Sequence, residues 1–294
     1  MVYIKHLHIY TSRFVENLSY NLHDVLKKHM ECSVHVRQLM PDDVNNLMLN
    51  EYFMIISPQS TLSKSAFNVL KPNTYFIYQT EQLNTPERAI KYHNNPSMRA
   101  LFNKAYQVFD YSQDNMLYYP ETYNKHPLFL PFISASKPCI QINKSIDILF
   151  YGSLNQRRYI IIEVLKELLP TLNIVVEEKL FGKDLQDKIT DSKIILNIHN
   201  YEHATLETAR IAEAENHNVH IISEKTHEND LMASFKNVHF IDELIDYSEK
   251  ESVEIEKRIF ENLLLLIDSL LKSKIITVNH NNDKIIENIF SHIK

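Results

Sequence analysis

The sequence predicts an α/β protein of two units, each a parallel sheet covered by helices on both faces. Three observations predict it. Short, continuous apolar runs at 53–56, 74–78, 146–151 and 194–199 are the pattern of strands buried on both faces. Stretches of helical periodicity separate them, as they do where parallel strands are connected. The alternation runs through the chain twice, broken by the largely polar segment 134–145 with Pro138. The boundaries drawn from this are 1–140 for the first unit, 145–272 for the second and 273–294 for a final helical segment.

In the first unit, 2–10 alternates apolar and polar residues as a strand. A helix follows over 14–30, with Leu18, Leu22, Val25 and Leu26 on one face. Segment 33–39 is the second strand, and Pro41 opens a short helix. Strand 53–56 ends at Ser57-Pro58, and a helix over 62–70 leads to strand 74–78. Helix 97–106 and strand 108–111 follow, and 126–132, with Pro127 and Pro131, is extended. In the second unit, strand 146–151 meets a helix over 157–169 that Pro170 ends. Strands at 173–176, 194–199, 219–223 and 238–241 alternate with helices at 184–190, 205–216, 230–235 and 251–272. An amphipathic helix over 283–294 closes the sequence.

With 294 residues, 44% of them hydrophobic and 23% charged, the composition is that of a soluble globular protein of two domains. A net charge of −6 gives no global basic footprint for nucleic acid. No signal peptide is visible, and the most apolar late stretch, 263–271, is interrupted by Asp268 and Ser269 and falls short of a membrane span. Cys32 and Cys139 are too few for a disulfide framework and lack metal-ligand spacing, so they read as reduced thiols of a cytoplasmic protein. The chain holds only two glycines. Asparagine, the next residue to tolerate a left-handed backbone, is expected to build loops in their place. Gly152 is informative for that reason.

Strand 146–151 breaks at Gly152-Ser153-Leu154-Asn155 and meets Arg157 and Arg158 at the head of a helix. Strand, tight turn and helix N-terminus is where backbone N–H groups and the helix dipole favour an anion. Positive charge there opposes the dipole. A diphosphate would resolve that conflict, and fork-shaped guanidinium groups suit it; the competing reading is a solvated helix start. Open α/β sheets place ligands at the carboxyl ends of their strands. In the first unit those ends carry Thr11, Ser12, Arg13, Gln79, Glu81, Gln82, Tyr111, Ser112 and Asn115. Ser112 and Asn115 serve equally as ordinary helix caps. No G-x-G-x-x-G, Walker A or Asp-x-Asp motif occurs. His6 with His8, and His217 with His220, lack a third ligand. No metal or cofactor is therefore expected, and a bound diphosphate would be met by arginines and helix N-termini.

Phe150-Tyr151-Gly152-Ser153-Leu154-Asn155-x-Arg157-Arg158, Leu196-Asn197-Ile198-His199-x-Tyr201-Glu202 and Leu206-Glu207-x-x-Arg210-Ile211-x-Glu213-Ala214 together resemble glycosyltransferases of the GT-B type. Tyr78-Gln79-Thr80-Glu81-Gln82 and Asp110-Tyr111-Ser112-x-x-Asn115 resemble first-domain elements of the same group. The likeness is scattered over 73–224. It implies two Rossmann-like domains facing across a cleft and a final helix that crosses back to the first. It also implies a nucleotide-diphosphate sugar held mainly by the second domain, a glycan or other acceptor placed by the first, and no obligatory metal. By the same likeness Gly152, Ser153, Asn155, Arg157, Arg158, Tyr201 and Arg210 bind the donor. His199, Glu207 and Glu213 then serve the chemistry, His199 towards the sugar and Glu213 towards the ribose.

Retaining members often carry Glu, seven residues, then Glu before a small-residue run and a glycine. Here Glu213 aligns with the second acid, the first falls on Thr205, and Asn218 stands for the glycine. Retention or inversion stays open. A nucleotide-sugar epimerase of the same fold and a non-catalytic nucleotide-sugar-binding protein stay open beside transfer. Glu207, Arg210 and Glu213, three residues apart, also fit an ion-paired helix face, and His199 fits a buried, hydrogen-bonded histidine.

Overall fold

The computed structural model describes residues 3–83, 85–134, 143–201, 204–215, 217–226, 232, 235, 237–242 and 253–273. They fall into two compact units that part at 136/137. In the first, strands β1 (His6–Thr11), β2 (Glu31–Val36), β3 (Glu51–Ile56), β4 (Tyr75–Gln79), β5 (Gln107–Asp110) and β6 (Leu128–Phe129) form a sheet in the order β2-β1-β3-β4-β5-β6. In the second, β7 (Ile146–Tyr151), β8 (Ile174–Glu177), β9 (Ser192–Asn197), β10 (His220–Glu224) and β11 (Val238–Ile241) order as β11-β10-β9-β7-β8. All pairings are parallel. Both units use one plan, with the second strand on one side of the first and the later strands on the other. The winding therefore reverses between β1 and β3 in one unit and between β7 and β9 in the other. The carboxyl ends of the strands at such a reversal are where open sheets hold ligands.

Strand alternation explains the core. Phe53, Ile55, Tyr75 and Ile77 pack on one face of the first sheet, and Met54, Ile56, Phe76 and Tyr78 on the other. In the second unit Ile148, Phe150, Ile194 and Leu196 face one way, and Leu149, Tyr151, Ile195 and Ile221 the other. A strand buried on both faces has no polar side to alternate with, which is why these segments read as apolar runs.

Some elements depart from expectation. The first long helix is Glu16–Leu26, after a single 3-10 turn at Arg13–Val15. Helix Pro86–His93 was not expected; Pro86 stands in its first turn, and the Thr85 hydroxyl accepts the Arg88 N–H at 3.4 Å. The helix expected from Thr205 begins at Thr208, because Glu207 has non-helical backbone angles of −76° and 63°. Asparagine does replace glycine in loops: Asn50, Asn73 and Asn218 have φ of 64°, 58° and 53°. The expected helix at 283–294 lies outside the described residues, as do most of 230–235, Cys139 and Glu202. Among the described residues no helix is long and apolar enough to cross a membrane.

Candidate functional site

Because β7 and β9 are neighbours, Gly152 after one and His199 after the other open on the same edge of the sheet. Gly152 has φ of +126°, a region that residues with a side chain rarely enter. Its N–H donates to the Glu177 carbonyl at 3.0 Å, which ties the turn to β8. Arg210 Nη2 lies 2.7 Å from the position a Gly152 Cβ would take. The missing side chain thus permits the turn and lets a guanidinium lie against it. Arg210 comes from helix Thr208–Ala214 and sits 5.5 Å from the ring centroids of both Phe150 and Tyr151, in cation–π range. It donates to Glu207 Oε2 at 2.6 Å and to Asn197 Oδ1. Gly152→Ala is expected to cost about 1–3 kcal/mol through the backbone alone. A lowered urea midpoint with an unchanged far-UV spectrum would be the readout, and an unchanged midpoint would refute it.

Asn155 caps helix Gln156–Leu168, its Oδ1 accepting the Arg158 N–H at 2.9 Å. The buried stripe of that helix is Arg157, Arg158, Ile161, Ile162 and Leu165, the spacing of a core-facing surface. Both arginines therefore point inward and are only 8% and 2% exposed. Arg157 forks onto Glu224, with Nη1 at 3.1 Å, and gives Nη1 to the His199 carbonyl at 2.9 Å. Arg158 donates Nε and Nη2 to the Ile198 carbonyl, Nη1 to the Ser153 carbonyl, and Nη2 to Glu207 Oε1 at 2.7 Å.

The expectation that Arg157 and Arg158 turn towards a diphosphate is corrected. The anions that answer their charge are the protein's own Glu224 and Glu207. Burial pulls the Arg158 guanidinium down to about 10, against the opposing influence of Glu207. Burial pushes the Glu207 carboxyl up, but Arg210 and Arg158 outweigh it and hold the group below the ordinary glutamate value. Glu207, expected among the catalytic carboxylates, is a bridge between two arginines. Glu224 was not singled out in the sequence, and Asn197, part of the Leu196–Glu202 motif, was given no role of its own. Asn197 donates to Ser223 Oγ at 2.9 Å and so joins β9 to β10 below the turn.

His199 is fully buried; its N–H donates to Glu224 Oε2, and its Nδ1 lies 3.9 Å from the same oxygen. Glu213 is half-buried, three residues along the helix from Arg210. Burial, then the charge of Glu213, holds the Tyr151 phenol well above its ordinary value, and that hydroxyl donates to the Arg210 carbonyl at 3.1 Å. Ser153 is exposed and Tyr201 half-buried. The Leu154 N–H already donates to a carboxylate, Glu178 Oε1, at 2.8 Å.

In the first unit Thr11, Gln79, Tyr111, Ser112 and Asn115 are buried. Gln79 Oε1 accepts from the Thr80 and Glu81 N–H groups at 2.7 and 2.9 Å. Asn115 accepts from the Leu83 N–H and donates to the Glu81 carbonyl, both at 2.7 Å. Ser112 Oγ accepts the Asn115 N–H, Thr11 Oγ1 accepts from Ser19 Oγ at 2.7 Å, and Tyr111 stacks on Phe132. Thr11, Gln79, Ser112 and Asn115 thus spend their polar groups on the protein's own loops and helices, and Tyr111 packs on a ring, where the sequence had all five facing a ligand. Ser12, Arg13, Glu81 and Gln82 stay at least partly exposed at the carboxyl edge. The organiser is Asp110, which accepts from the Ser112 N–H at 2.9 Å, Asn115 Nδ2 at 3.0 Å and the Tyr119 hydroxyl at 2.8 Å.

No family model and no curated protein matches the chain. Solved structures do. HepE from Anabaena, in complex with UDP and glucose, matches over 99% of each chain at 10% identity and a TM-score of 0.52. AviGT4, a glycosyltransferase involved in avilamycin A biosynthesis, matches over 98% of this chain and 96% of its own at 9% identity, TM-score 0.51. UDP-GlcNAc 2-epimerase from Neisseria meningitidis bound to UDP-GlcNAc matches over 98% and 100% at 11% identity, TM-score 0.47. Against TarM the chain spans 54% of that protein's length. With its two parallel, doubly wound sheets, the chain has the GT-B fold.

Proposed function

We propose that the protein is a glycosyltransferase that moves a sugar from a nucleotide-diphosphate sugar to a glycan or other acceptor. The observation that carries this reading is Arg210 lying against the Gly152 turn where the second sheet reverses. Turn 152–155 and the N-terminus of helix Gln156–Leu168 would take the diphosphate, with Arg210 as its charge-assisted donor. Ser153 and Tyr201 would border it, Glu213 would hold the ribose hydroxyls, and His199 would lie towards the sugar. Ser12, Arg13, Glu81 and Gln82 would place the acceptor. As the sugar–phosphate bond breaks, charge develops on the diphosphate, and fixed protein donors would stabilise it without an obligatory metal. HepE was solved with UDP and glucose and AviGT4 is a glycosyltransferase, which makes uridine nucleotides the first ligands to try.

Incubation with UDP-, GDP- and dTDP-sugars tests the reading. Slow release of free nucleoside diphosphate, quickened by an acceptor, is expected. A new nucleotide-sugar without net cleavage would replace transfer by epimerisation, and binding without turnover would leave a non-catalytic protein. Arg210→Lys, which keeps a charge beside Glu207 but loses the fork, is expected to weaken nucleoside diphosphate binding about 10- to 100-fold, the worth of a charged hydrogen bond. Calorimetry showing unchanged affinity would remove the phosphate assignment.

A further inference from the structure

We propose that His6, His8 and His35 form a binding site for a divalent transition-metal cation of borderline softness, such as zinc, centred where the Ser33 hydroxyl now stands. The site lies in the first unit and does not depend on the reading of the second. Residues 6 and 8 point to one face of β1, and 33 and 35 to the same face of the edge strand β2, in the register His8 opposite Ser33 and Tyr10 opposite His35. Three imidazole nitrogens converge on one atom: His6 Nε2 at 3.0 Å, His8 Nδ1 at 3.1 Å and His35 Nε2 at 3.0 Å from Ser33 Oγ.

A hydroxyl suits that centre poorly. It donates one hydrogen and accepts at two lone pairs, so it can serve only one ring nitrogen that itself presents a lone pair. The far nitrogens of two rings face carboxylates: His8 Nε2 lies 3.4 Å from Glu51 Oε2 and His6 Nδ1 lies 3.5 Å from Glu31 Oε2. With N–H groups on those carboxylates, the nitrogens turned to the centre present lone pairs. Carboxylate, imidazole, then metal is the arrangement that fixes the tautomer of ligating histidines and raises their basicity. A cation at the centre meets both of those lone pairs at once, and a third once His35 takes the matching tautomer, where a hydroxyl donates to one.

The surrounding charge fits. Glu31 and Glu51 flank the site, while Arg37 and Asp43 pair with each other at 2.7 Å and leave no net charge between them. His6 and His8 are 24% and 23% exposed, enough for entry from solvent. The rings stand at hydrogen-bond distance from the centre, wider than metal coordination, and among the described residues no group of three His, Cys, Asp or Glu side chains is placed to hold a metal as it stands. Closure to a zinc–nitrogen distance of about 2.1 Å asks each ring to move inward by roughly 1 Å. Ser33 then turns aside.

The test is calorimetric titration of zinc into the full chain, free of any affinity tag, at pH 7.5. The chain holds 15 histidines, so weak scattered binding is a background that variants must subtract. Wild type is expected to bind one zinc above that background and to melt higher with it. Ser33→Ala should bind at least as tightly, whereas His8→Gln and His35→Gln should each lose the tight site. Glu51→Gln, which leaves all three ligands in place, should weaken it about 10- to 100-fold. If wild type and the His8→Gln, His35→Gln double variant bind zinc alike, or if Ser33→Ala loses binding, the proposal is overturned. Circular dichroism of each variant separates loss of the site from loss of the fold.

Discussion

Arg157→Ala combined with Arg158→Ala is expected to unfold the second unit, not to leave an intact protein with a weakened ligand site. Removing one partner of a buried ion pair costs about 3–5 kcal/mol, because the other charge stays buried and unanswered. Here it happens at two pairs. Glu224, fully buried, loses the fork of Arg157, and Glu207 loses one of its two arginines. The carbonyls of Ser153, Ile198 and His199 lose their donors in the same stroke. A whole domain is held by about 5–15 kcal/mol, so even with incomplete additivity most of the margin goes. Arg158→Ala alone should be milder, since Arg210 still holds Glu207. Arg157→Met with Glu224→Leu should recover only part of the loss, since the apolar pair removes the buried charge but leaves the His199 N–H and carbonyl without their partners. Urea denaturation followed by far-UV circular dichroism reads all four proteins. A double alanine variant with the parental midpoint would mean that these guanidinium groups are not the buried struts described above.

The arginines also show what a sequence does and does not reveal. Strand Ile146–Tyr151 was legible to the residue, because a strand buried on both faces leaves no ambiguity of period, and the bounds of the half-buried edge strand Val238–Ile241 were legible too. Gly152 stood out as one of two glycines in the chain. The orientation of Arg157 and Arg158 was also written there: the apolar stripe Ile161, Ile162 and Leu165, carried back one turn, falls on 157 and 158. The partner was not legible, since Arg157 and Glu224 lie 67 residues apart and only the strand order brings them together. His35 was missed for the same reason. Nothing in one strand's sequence says which residue of the next strand stands beside it, so His6 and His8 seemed to lack a third ligand. The start of the helix at Thr208 was lost because Glu207 is turned out of helical geometry, a backbone choice that propensity does not encode.

Asp110→Ala is expected to destabilise the first unit by about 3 kcal/mol or more, and a second substitution gives the prediction its sign. Asp110 ends β5 fully buried and accepts from three donors, the Ser112 N–H, Asn115 Nδ2 and the Tyr119 hydroxyl. Each buried donor left without an acceptor costs about 1–3 kcal/mol. Asn115, once loosened, also holds Leu83 and Glu81 less firmly, so the loop after β4 is weakened with it. Burial, and then the charge of Asp110, holds the Tyr119 phenol well above its ordinary value, so it stays a donor across the working pH range. Tyr119→Phe in the wild type should therefore cost about 1 kcal/mol for one lost hydrogen bond. In the Asp110→Ala background the same change should be neutral or stabilising, because it removes a hydroxyl that has nothing left to bond. A double-mutant cycle by urea denaturation measures that coupling. If Asp110 instead served a bound acceptor, Asp110→Ala would leave stability untouched, and Tyr119→Phe would cost the same in both backgrounds.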